Sequence, residues 1–238
     1  MRLPAACVPG TLCDARVFEP LLTRLDLDAV HVPLVGRSVD ETAAALLAAA
    51  PPRFVAIGFS LGGSVVLEAL RRAPERLIGA VLIASHGEGD RAEAATERAR
   101  QRSIFGTSGP TALIDDLSPR YSGYIDDPGG SEAVRATQRD MASGFDLSAF
   151  EAQSDIAASR RDRLHDGLAP VPMLLVGGAL DPLCPPQRVA ASAAALGAAH
   201  ATVARAGHFV LLERPSETAT AISGWLDRVR STQATPCA

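Results

Sequence analysis

A single serine stands between glycines where an apolar run gives way to a helical pattern. The segment "VAIGFSLGGSVV" (55–66) holds the pattern G-x-S-x-G around Ser60, with Gly58 and Gly62 as its glycines. Such a tight turn strains the backbone of the serine, and side chains at positions 58 and 62 would collide with neighbouring elements. The turn presents a hydroxyl at a helix N-terminus, where amide donors converge. Ser60 is therefore predicted to be a nucleophile.

A serine nucleophile needs a base, and the base needs a third group to orient it. Asp181 is the carboxylate in "ALDPLCPP", which follows an apolar run, and His208 follows the last predicted strand in "ARAGHFVLLERP". Because Ser60 also follows a strand, a parallel sheet would bring all three side chains to one edge. The chain order serine, acid, histidine favours His208 as the base over His86, which follows a strand as well.

The transition state of acyl transfer needs N–H donors for its oxyanion. The backbone N–H of Leu61, directly after the nucleophile, is one predicted donor. The second is expected in the loop "PGTLCDARVF" that follows the first predicted strand. There the backbone N–H of Thr11 is preferred, and that of Leu12 is the alternative.

Strand patterns and helix patterns alternate along most of the chain. The predicted strands are 5–10, 29–35, 53–59, 77–85, 171–178 and 201–207. The predicted helices are 15–25, 38–50, 61–73, 187–197 and 216–229. Most of these strands are apolar on both faces, which indicates a parallel sheet with helices on both sides. We expect one α/β domain over residues 1–238, with a mostly or wholly parallel sheet of about six strands.

The alternation stops between about 87 and 170, where no strand pattern is convincing. Amphipathic stretches cover 91–104, 109–120, 131–142 and 146–159. This segment is too long for an ordinary crossover, so it is predicted to be a helical cap that lies over Ser60.

The cap is expected to select the substrate. Phe59, Met141, Phe145 and Phe150 are the candidate substrate-binding residues, which would suit a small to medium, uncharged, apolar substrate. Met141, Phe145 and Phe150 lie in the cap, and their alternative role is to pack the cap onto the core. A carboxylate-bearing substrate also stays open, because the segment is rich in arginines, at Arg135, Arg139, Arg160, Arg161 and Arg163.

Composition excludes several classes of chemistry. All 23 basic residues are arginine, so a P-loop, a kinase phosphate clamp and a Schiff base are ruled out. The formal net charge of -4 gives no case for nucleic acid or an anionic membrane as a partner.

Cysteine spacing and hydropathy bear on metals and location. The four cysteines, Cys7, Cys13, Cys184 and Cys237, include no C-x-x-C pair. We therefore expect no metal and no cofactor, and reduced cysteines in a cytoplasmic protein. No apolar run reaches the length of a transmembrane helix, and the oligomeric state is left open.

Four motifs in order resemble those of the α/β-hydrolase family, and the resemblance covers nearly the whole chain. "PGTLCDARVF" is similar to its oxyanion loop, "GFSLGG" to its nucleophile turn, "GALDPLCPP" to its acid turn and "AGHFVLLERP" to its histidine segment. Two departures are Pro9, where the family usually has histidine, and the absence of the family's first strands. The cap segment "FEAQSDIAASRRD" (150–162) also resembles a lid segment of that family.

The resemblance implies a compact serine hydrolase with a helical lid and no cofactor. A carboxylic ester is the expected substrate, cleaved through an acyl-enzyme on Ser60. A thioesterase, a carbon–carbon bond hydrolase and a cofactor-free haloperoxidase or perhydrolase share this fold and stay open. The alternative from a different class is a ligand receptor or pseudoenzyme that keeps the scaffold without turnover.

Overall fold

A single sheet of parallel strands organises the chain. The structure is a computed structural model and describes residues 2–122 and 128–234. Within those residues the strands are β1 (Leu3–Val8), β2 (Leu27–His31), β3 (Phe54–Phe59), β4 (Leu77–Ile83), β5 (Met173–Gly178) and β6 (Ala199–Val203). They pair in the order β2-β1-β3-β4-β5-β6, and every pair is parallel. The predicted six-stranded α/β fold is confirmed.

Helices cover both faces of the sheet. The α-helices of the described residues are α1 (Glu19–Leu22), α2 (Val39–Ala49), α3 (Leu61–Arg72), α4 (Ala92–Tyr121), α5 (Pro128–Ala142), α6 (Leu147–Ala158), α7 (Pro186–Ala195), α8 (Val210–Glu213) and α9 (Pro215–Ala234). None of them combines the length and apolarity that a membrane crossing requires.

The central strands are apolar throughout because both of their faces are buried. Along β3, Val55 and Ile57 belong to the same apolar cluster as Trp225 of α9. Ala56, between them in sequence, belongs to a second cluster with Val66 of α3. Side chains alternate across a strand, so β3 separates two cores, and each core fixes one layer of helices.

The first edge strand ends earlier than the sequence pattern predicts. A strand was expected over 29–35, but β2 covers Leu27–His31. The N–H of Val32 still donates to the carbonyl of Cys7 at 2.9 Å. Pro33 then has no N–H to offer the ladder, and pairing stops there although the apolar run continues.

The opposite edge strand is also displaced from its predicted position. The expected strand over 201–207 is β6 at Ala199–Val203. Arg205 then adopts a positive φ of 56°. This left-handed residue turns the chain out of the sheet and into the loop that carries His208.

The segment over 87–170 is helical, as predicted, and its described residues form no strand. Helix α4 is broken at Gly109, whose φ of 84° and ψ of 174° precede Pro110. The cap has its own small apolar cluster, in which the rings of Phe105 and Phe150 stack with centroids 4.9 Å apart.

The two ends of this segment are joined to each other at the sheet. The N–H of Arg163, after α6, donates to the carbonyl of Gly87 at 2.8 Å. The N–H of Asp90 donates to the carbonyl of Arg160 at 3.2 Å. The cap therefore leaves and rejoins the sheet through one hydrogen-bonded neck.

A buried carboxylate ties that neck to helix α3. The side chain of Glu68 is fully buried and accepts from Arg71 at 2.8 Å, from Arg72 at 2.7 Å, and from Arg163 of the neck. Burial by itself raises the pKa of Glu68. The hydrogen bonds from Arg71 and Arg72 and the charge of Arg163 outweigh burial and lower the pKa from 4.5 to about 2.

Replacing Glu68 by Gln should therefore weaken the fold and alter its response to acid. Three guanidinium groups lose a shared counter-charge, and we expect a loss of about 3 kcal/mol in the free energy of unfolding at neutral pH. A lowered pKa stabilises the fold above the unfolded value and loses that effect as pH falls from 4.5 toward about 2. Glu68→Gln should lack this part of the acid response.

Urea unfolding of the wild type and the variant at pH 7 and pH 3 measures both effects. Glu75→Gln, at an exposed glutamate in the short turn that follows α3, serves as the control. The free energy of unfolding should fall more between pH 7 and pH 3 in the wild type than in Glu68→Gln. An equal fall in the two proteins would show that the cluster does not respond to acid as described.

Candidate active site

Ser60 lies at the junction of β3 and α3 in a strained conformation. Its φ is 51° and its ψ is -115°, a region that costs a residue with a side chain about 1–3 kcal/mol. Two backbone hydrogen bonds hold it there. The Ser60 N–H donates to Ile83 at 2.9 Å, and the Gly63 N–H donates to the Ser60 carbonyl at 3.0 Å.

The surrounding glycines are required by close contacts with backbone and with a neighbouring strand. A Cβ on Gly58 would lie 2.4 Å from the Gly62 carbonyl oxygen, and one on Gly62 would lie 2.1 Å from that of Val8. A Cβ on Gly63 would lie 2.2 Å from the Ser85 Oγ. The turn therefore has no room for a side chain at positions 58, 62 and 63.

The structure brings Ser60, His208 and Asp181 into one chain of hydrogen bonds. The distance from Ser60 Oγ to His208 Nε2 is 2.9 Å, and that from His208 Nδ1 to Asp181 Oδ2 is 2.8 Å. Asp181 and His208 are both buried. The backbone N–H of His208 also donates to the carbonyl of Tyr121 at 2.7 Å, which fixes the histidine loop against the end of α4.

Asp181 is held as an ionised acceptor. Its other oxygen, Oδ1, accepts from the N–H groups of Leu183 at 2.8 Å and Cys184 at 3.0 Å. Burial raises the pKa of Asp181, but His208 and these two N–H groups outweigh it, and the net pKa is lowered. An ionised carboxylate only accepts, so His208 donates from Nδ1 and its Nε2 is left to accept the Ser60 proton.

His86 does not take part in this chain of hydrogen bonds. Its Nδ1 accepts the N–H of Glu88 at 3.2 Å. Burial and then the charges of Arg188 and Arg160 lower its pKa to about 3. The geometry therefore supports His208 rather than His86 as the base.

A cap residue that sequence reasoning missed bears on the choice between Thr11 and Leu12. The buried Gln153 of α6 accepts the N–H of Leu12 through its Oε1 at 2.8 Å. Leu12 has a positive φ of 56°. In the described part of the chain the N–H of Thr11 has no acceptor, so it is free to serve the oxyanion. The one signal in the sequence that could have indicated this contact is the position of Gln153 within the segment 150–162, which resembles a lid segment.

The predicted partner donor, the N–H of Leu61, belongs to the first turn of α3. N–H groups in a first turn have no partner within their own helix. Leu61 and Thr11 both line the cavity that also contains Ser60 and His208. Both residues predicted to donate to the oxyanion therefore line the same cavity as Ser60.

The cavity that contains Ser60 has a volume of about 360 Å³. Its lining includes some of the expected substrate-binding residues and not others. Phe59 and Phe150 line it, whereas Met141 and Phe145 are not among its lining residues. Met141 is fully buried in the main core. Phe145 packs against the cap's own cluster. The positions of Met141 and Phe145 correct the expectation, because their apolar spacing reflects helix packing.

Asp181, Cys184 and His208 place possible metal-ligand atoms within 4.8 Å of one another. The contacts present do not suit a metal. His208 Nδ1 and Asp181 Oδ2 are bonded to each other, and the Cys184 Sγ donates to the carbonyl of Ala84 at 3.2 Å. Burial also raises the pKa of the Cys184 thiol, which opposes the thiolate that a metal needs.

The sequence model of the alpha/beta hydrolase family matches residues 7–221, which is most of the chain. The chain belongs to this family. The family assignment identifies the protein as a hydrolase that acts on small molecules. No curated protein shows significant sequence similarity to the chain.

Solved structures of several hydrolases share the fold. A thermophilic esterase from Thermogutta terrifontis, in a malate-bound form, is 23% identical with a TM-score of 0.81, covering 95% of this chain and 90% of that one. The enol-lactonase from Burkholderia xenovorans LB400 is 20% identical with a TM-score of 0.80, covering 95% and 92%. MenH from S. aureus is 16% identical with a TM-score of 0.78, covering 97% and 96%. At these identities the likeness establishes the fold alone.

The hydrogen bond between Gln153 and Leu12 generates a prediction for kinetics. Gln153→Leu removes the acceptor that holds the oxyanion loop, so its N–H groups should be less well aimed. Loss of a whole oxyanion donor costs roughly 10²–10³-fold in kcat, and misplacement should cost about tenfold. The KM for p-nitrophenyl acetate should change little, because the interaction acts mainly in the transition state.

Ser154→Ala is the matched control, since Ser154 is the buried neighbour of Gln153 on α6 and does not line the cavity. Both variants are compared by steady-state kinetics and by thermal unfolding. An unchanged kcat in a folded Gln153→Leu protein would contradict the positioning role.

Proposed function

We propose that the protein is a carboxylic ester hydrolase that forms an acyl-enzyme on Ser60. The observation that carries this proposal is the continuous chain from Ser60 Oγ through His208 to Asp181, at 2.9 and 2.8 Å. It opens into a cavity with two N–H groups placed for an oxyanion. Nucleophile, base, orienting acid and oxyanion donors are the parts that acyl transfer requires.

The proposed mechanism gives each step to one group. His208 Nε2 takes the Ser60 proton as Oγ attacks the ester carbonyl. The N–H groups of Leu61 and Thr11 stabilise the oxyanion of the tetrahedral intermediate, and Asp181 stabilises the imidazolium. His208 then returns its proton to the leaving alcohol. A water, activated by the same histidine, hydrolyses the acyl-enzyme and releases the acid.

An ester is favoured over other acyl bonds by the activities of proteins with similar structures. Those named above include an esterase and an enol-lactonase, and a lactone is a cyclic ester. The helices over 87–170 serve as the cap that covers the site. We propose one domain and a cytoplasmic location, consistent with the buried free thiols of Cys7, Cys13 and Cys184. Cys237 lies outside the described residues.

A panel of p-nitrophenyl esters and acyl-thioesters tests the proposal. Ser60→Ala and His208→Ala should each lower kcat/KM by roughly 10³-fold or more. Ser85→Ala is the matched control for the nucleophile, because Ser85 lines the same cavity and should stay within a few-fold of wild type. His86→Ala should leave the base intact and turn over neutral esters nearly as well as wild type.

Each contrary outcome points to a defined alternative. Full activity in Ser60→Ala would remove the acyl-enzyme. Thioesters cleaved far faster than matched esters would make the protein a thioesterase. A single slow round of product release, with no steady state, would indicate a ligand receptor.

A further inference from the structure

One part of the cavity wall is cationic. Arg91, Arg98, Arg160 and Arg188 line the same cavity as Ser60. Among the described lining residues the one carboxylate is that of Glu97, which is engaged by Arg100 at 2.7 Å and by Gln101 at 3.0 Å. The groups that face the cavity therefore carry excess positive charge.

The counter-charges of these arginines come from two residues outside the cavity lining. The carboxylate of Asp90 accepts hydrogen bonds from both terminal nitrogens of Arg98, each at 2.7 Å. It also accepts from Arg160 at 3.1 Å. Glu88 bonds Arg188 at 2.9 and 3.0 Å and Arg91 at 2.6 Å. Two carboxylates thus serve four guanidinium groups. The cluster therefore retains a surplus of positive charge.

Two residues that line the cavity each hold a buried donor with no acceptor within the described residues. The Nε of Arg98 is one, and the Nε2 of Gln138 on α5 is the other. Gln138 is 2% exposed and lines the cavity, and its carbonyl accepts from Ser122 at 3.3 Å. An unmatched buried donor costs about 1–3 kcal/mol. These residues are therefore short of hydrogen-bond acceptors as well as of negative charge.

His86 adds a third donor to the same wall. Its Nδ1 accepts the N–H of Glu88, so a neutral ring carries its proton on Nε2. Burial, followed by the charges of Arg188 and Arg160, lowers the pKa of His86 to about 3 and keeps the ring neutral.

We propose that the substrate carries a carboxylate in addition to its scissile ester, and that the wall formed by Arg98, Arg160 and Arg188 binds it. This inference rests on the proposed function and narrows it to acidic esters, such as monoesters of short dicarboxylic acids. Fully desolvated carboxylates require charged or hydrogen-bonding partners, and this wall supplies both. Apolar side chains near Ser60, including Phe59 and Phe150, would hold the carbon chain.

This proposal replaces the expectation of an uncharged substrate with the alternative that the sequence left open. Of the five arginines named for that alternative, Arg160 lines the cavity, whereas Arg135, Arg139, Arg161 and Arg163 do not. Arg98 and Arg188, which do line it, were not among the candidates.

Matched substrates test the proposal on the wild-type protein, where folding is not in question. Monomethyl glutarate has a free carboxylate at the end of its chain, and methyl valerate and dimethyl glutarate are its neutral counterparts. The kcat/KM for monomethyl glutarate should exceed that for either neutral ester at least tenfold. Equal or lower values for the acidic ester would overturn the proposal while leaving the ester hydrolase intact.

Variants then locate the preference. Arg160→Gln should reduce the ratio of kcat/KM for monomethyl glutarate over methyl valerate at least tenfold, chiefly through KM for the acidic ester. Arg161→Gln is the matched control, because Arg161 is adjacent in sequence, exposed and outside the cavity, and its ratio should equal that of wild type. A ratio unchanged in folded Arg160→Gln would remove Arg160 from the site.

A binding measurement separates this proposal from the proposed function. Glutarate is titrated calorimetrically into Ser60→Ala, which cannot turn over an ester but keeps the arginine wall. Binding that is lost in Ser60→Ala/Arg160→Gln would support the anion site even if no ester were cleaved by the wild type. Absence of binding, together with no preference for the acidic ester, would overturn the anion site whether or not neutral esters are hydrolysed.

Discussion

The strained turn at Ser60 is the constraint on which the rest of the molecule depends. A residue with a side chain holds a φ of 51° there because three glycines let β1, β3, β4 and α3 approach within contact distance of its backbone. The cost of about 1–3 kcal/mol is offset by the packing of the sheet on both faces. The Ser60 Oγ therefore lies 2.9 Å from His208 Nε2 without a substrate, and the proposed mechanism needs no reorganisation of the serine.

The cap is joined to the catalytic groups by specific hydrogen bonds. The carbonyl of Tyr121 at the end of α4 accepts from His208, and Gln153 of α6 holds Leu12 of the oxyanion loop. Cap helices thus contact both the loop of the proposed base and the loop of the proposed oxyanion donor. Under the proposed mechanism, a change in the cap is expected to alter kcat as well as substrate choice.

The fold and the hydrogen-bonded set of Ser60, His208 and Asp181 could be predicted because they follow from local pattern and chain order. Strands buried on both faces are apolar throughout, and parallel strands deliver Ser60, Asp181 and His208 to one edge. The ends of the edge strands could not be predicted as well, since Pro33 and the left-handed Arg205 end pairing where hydropathy shows no change.

Contacts between distant segments lay beyond the sequence. The difference between Thr11 and Leu12 is made by Gln153, 141 positions further along the chain than Leu12. Met141 has the apolar character of a pocket residue, but its helix turns it into the core. The arginines of the wall form ion pairs with Asp90 and Glu88. No spacing in the sequence shows which arginines pair with those two carboxylates.

The central claim is that Ser60 is the nucleophile, activated by His208. Labelling with a fluorophosphonate, followed by peptide mass spectrometry, tests this most directly. The account predicts one label per chain on the peptide that contains Ser60, no label in Ser60→Ala, and much slower labelling in His208→Ala. A stoichiometric label on any other residue, or no label on a folded wild-type protein, would contradict it.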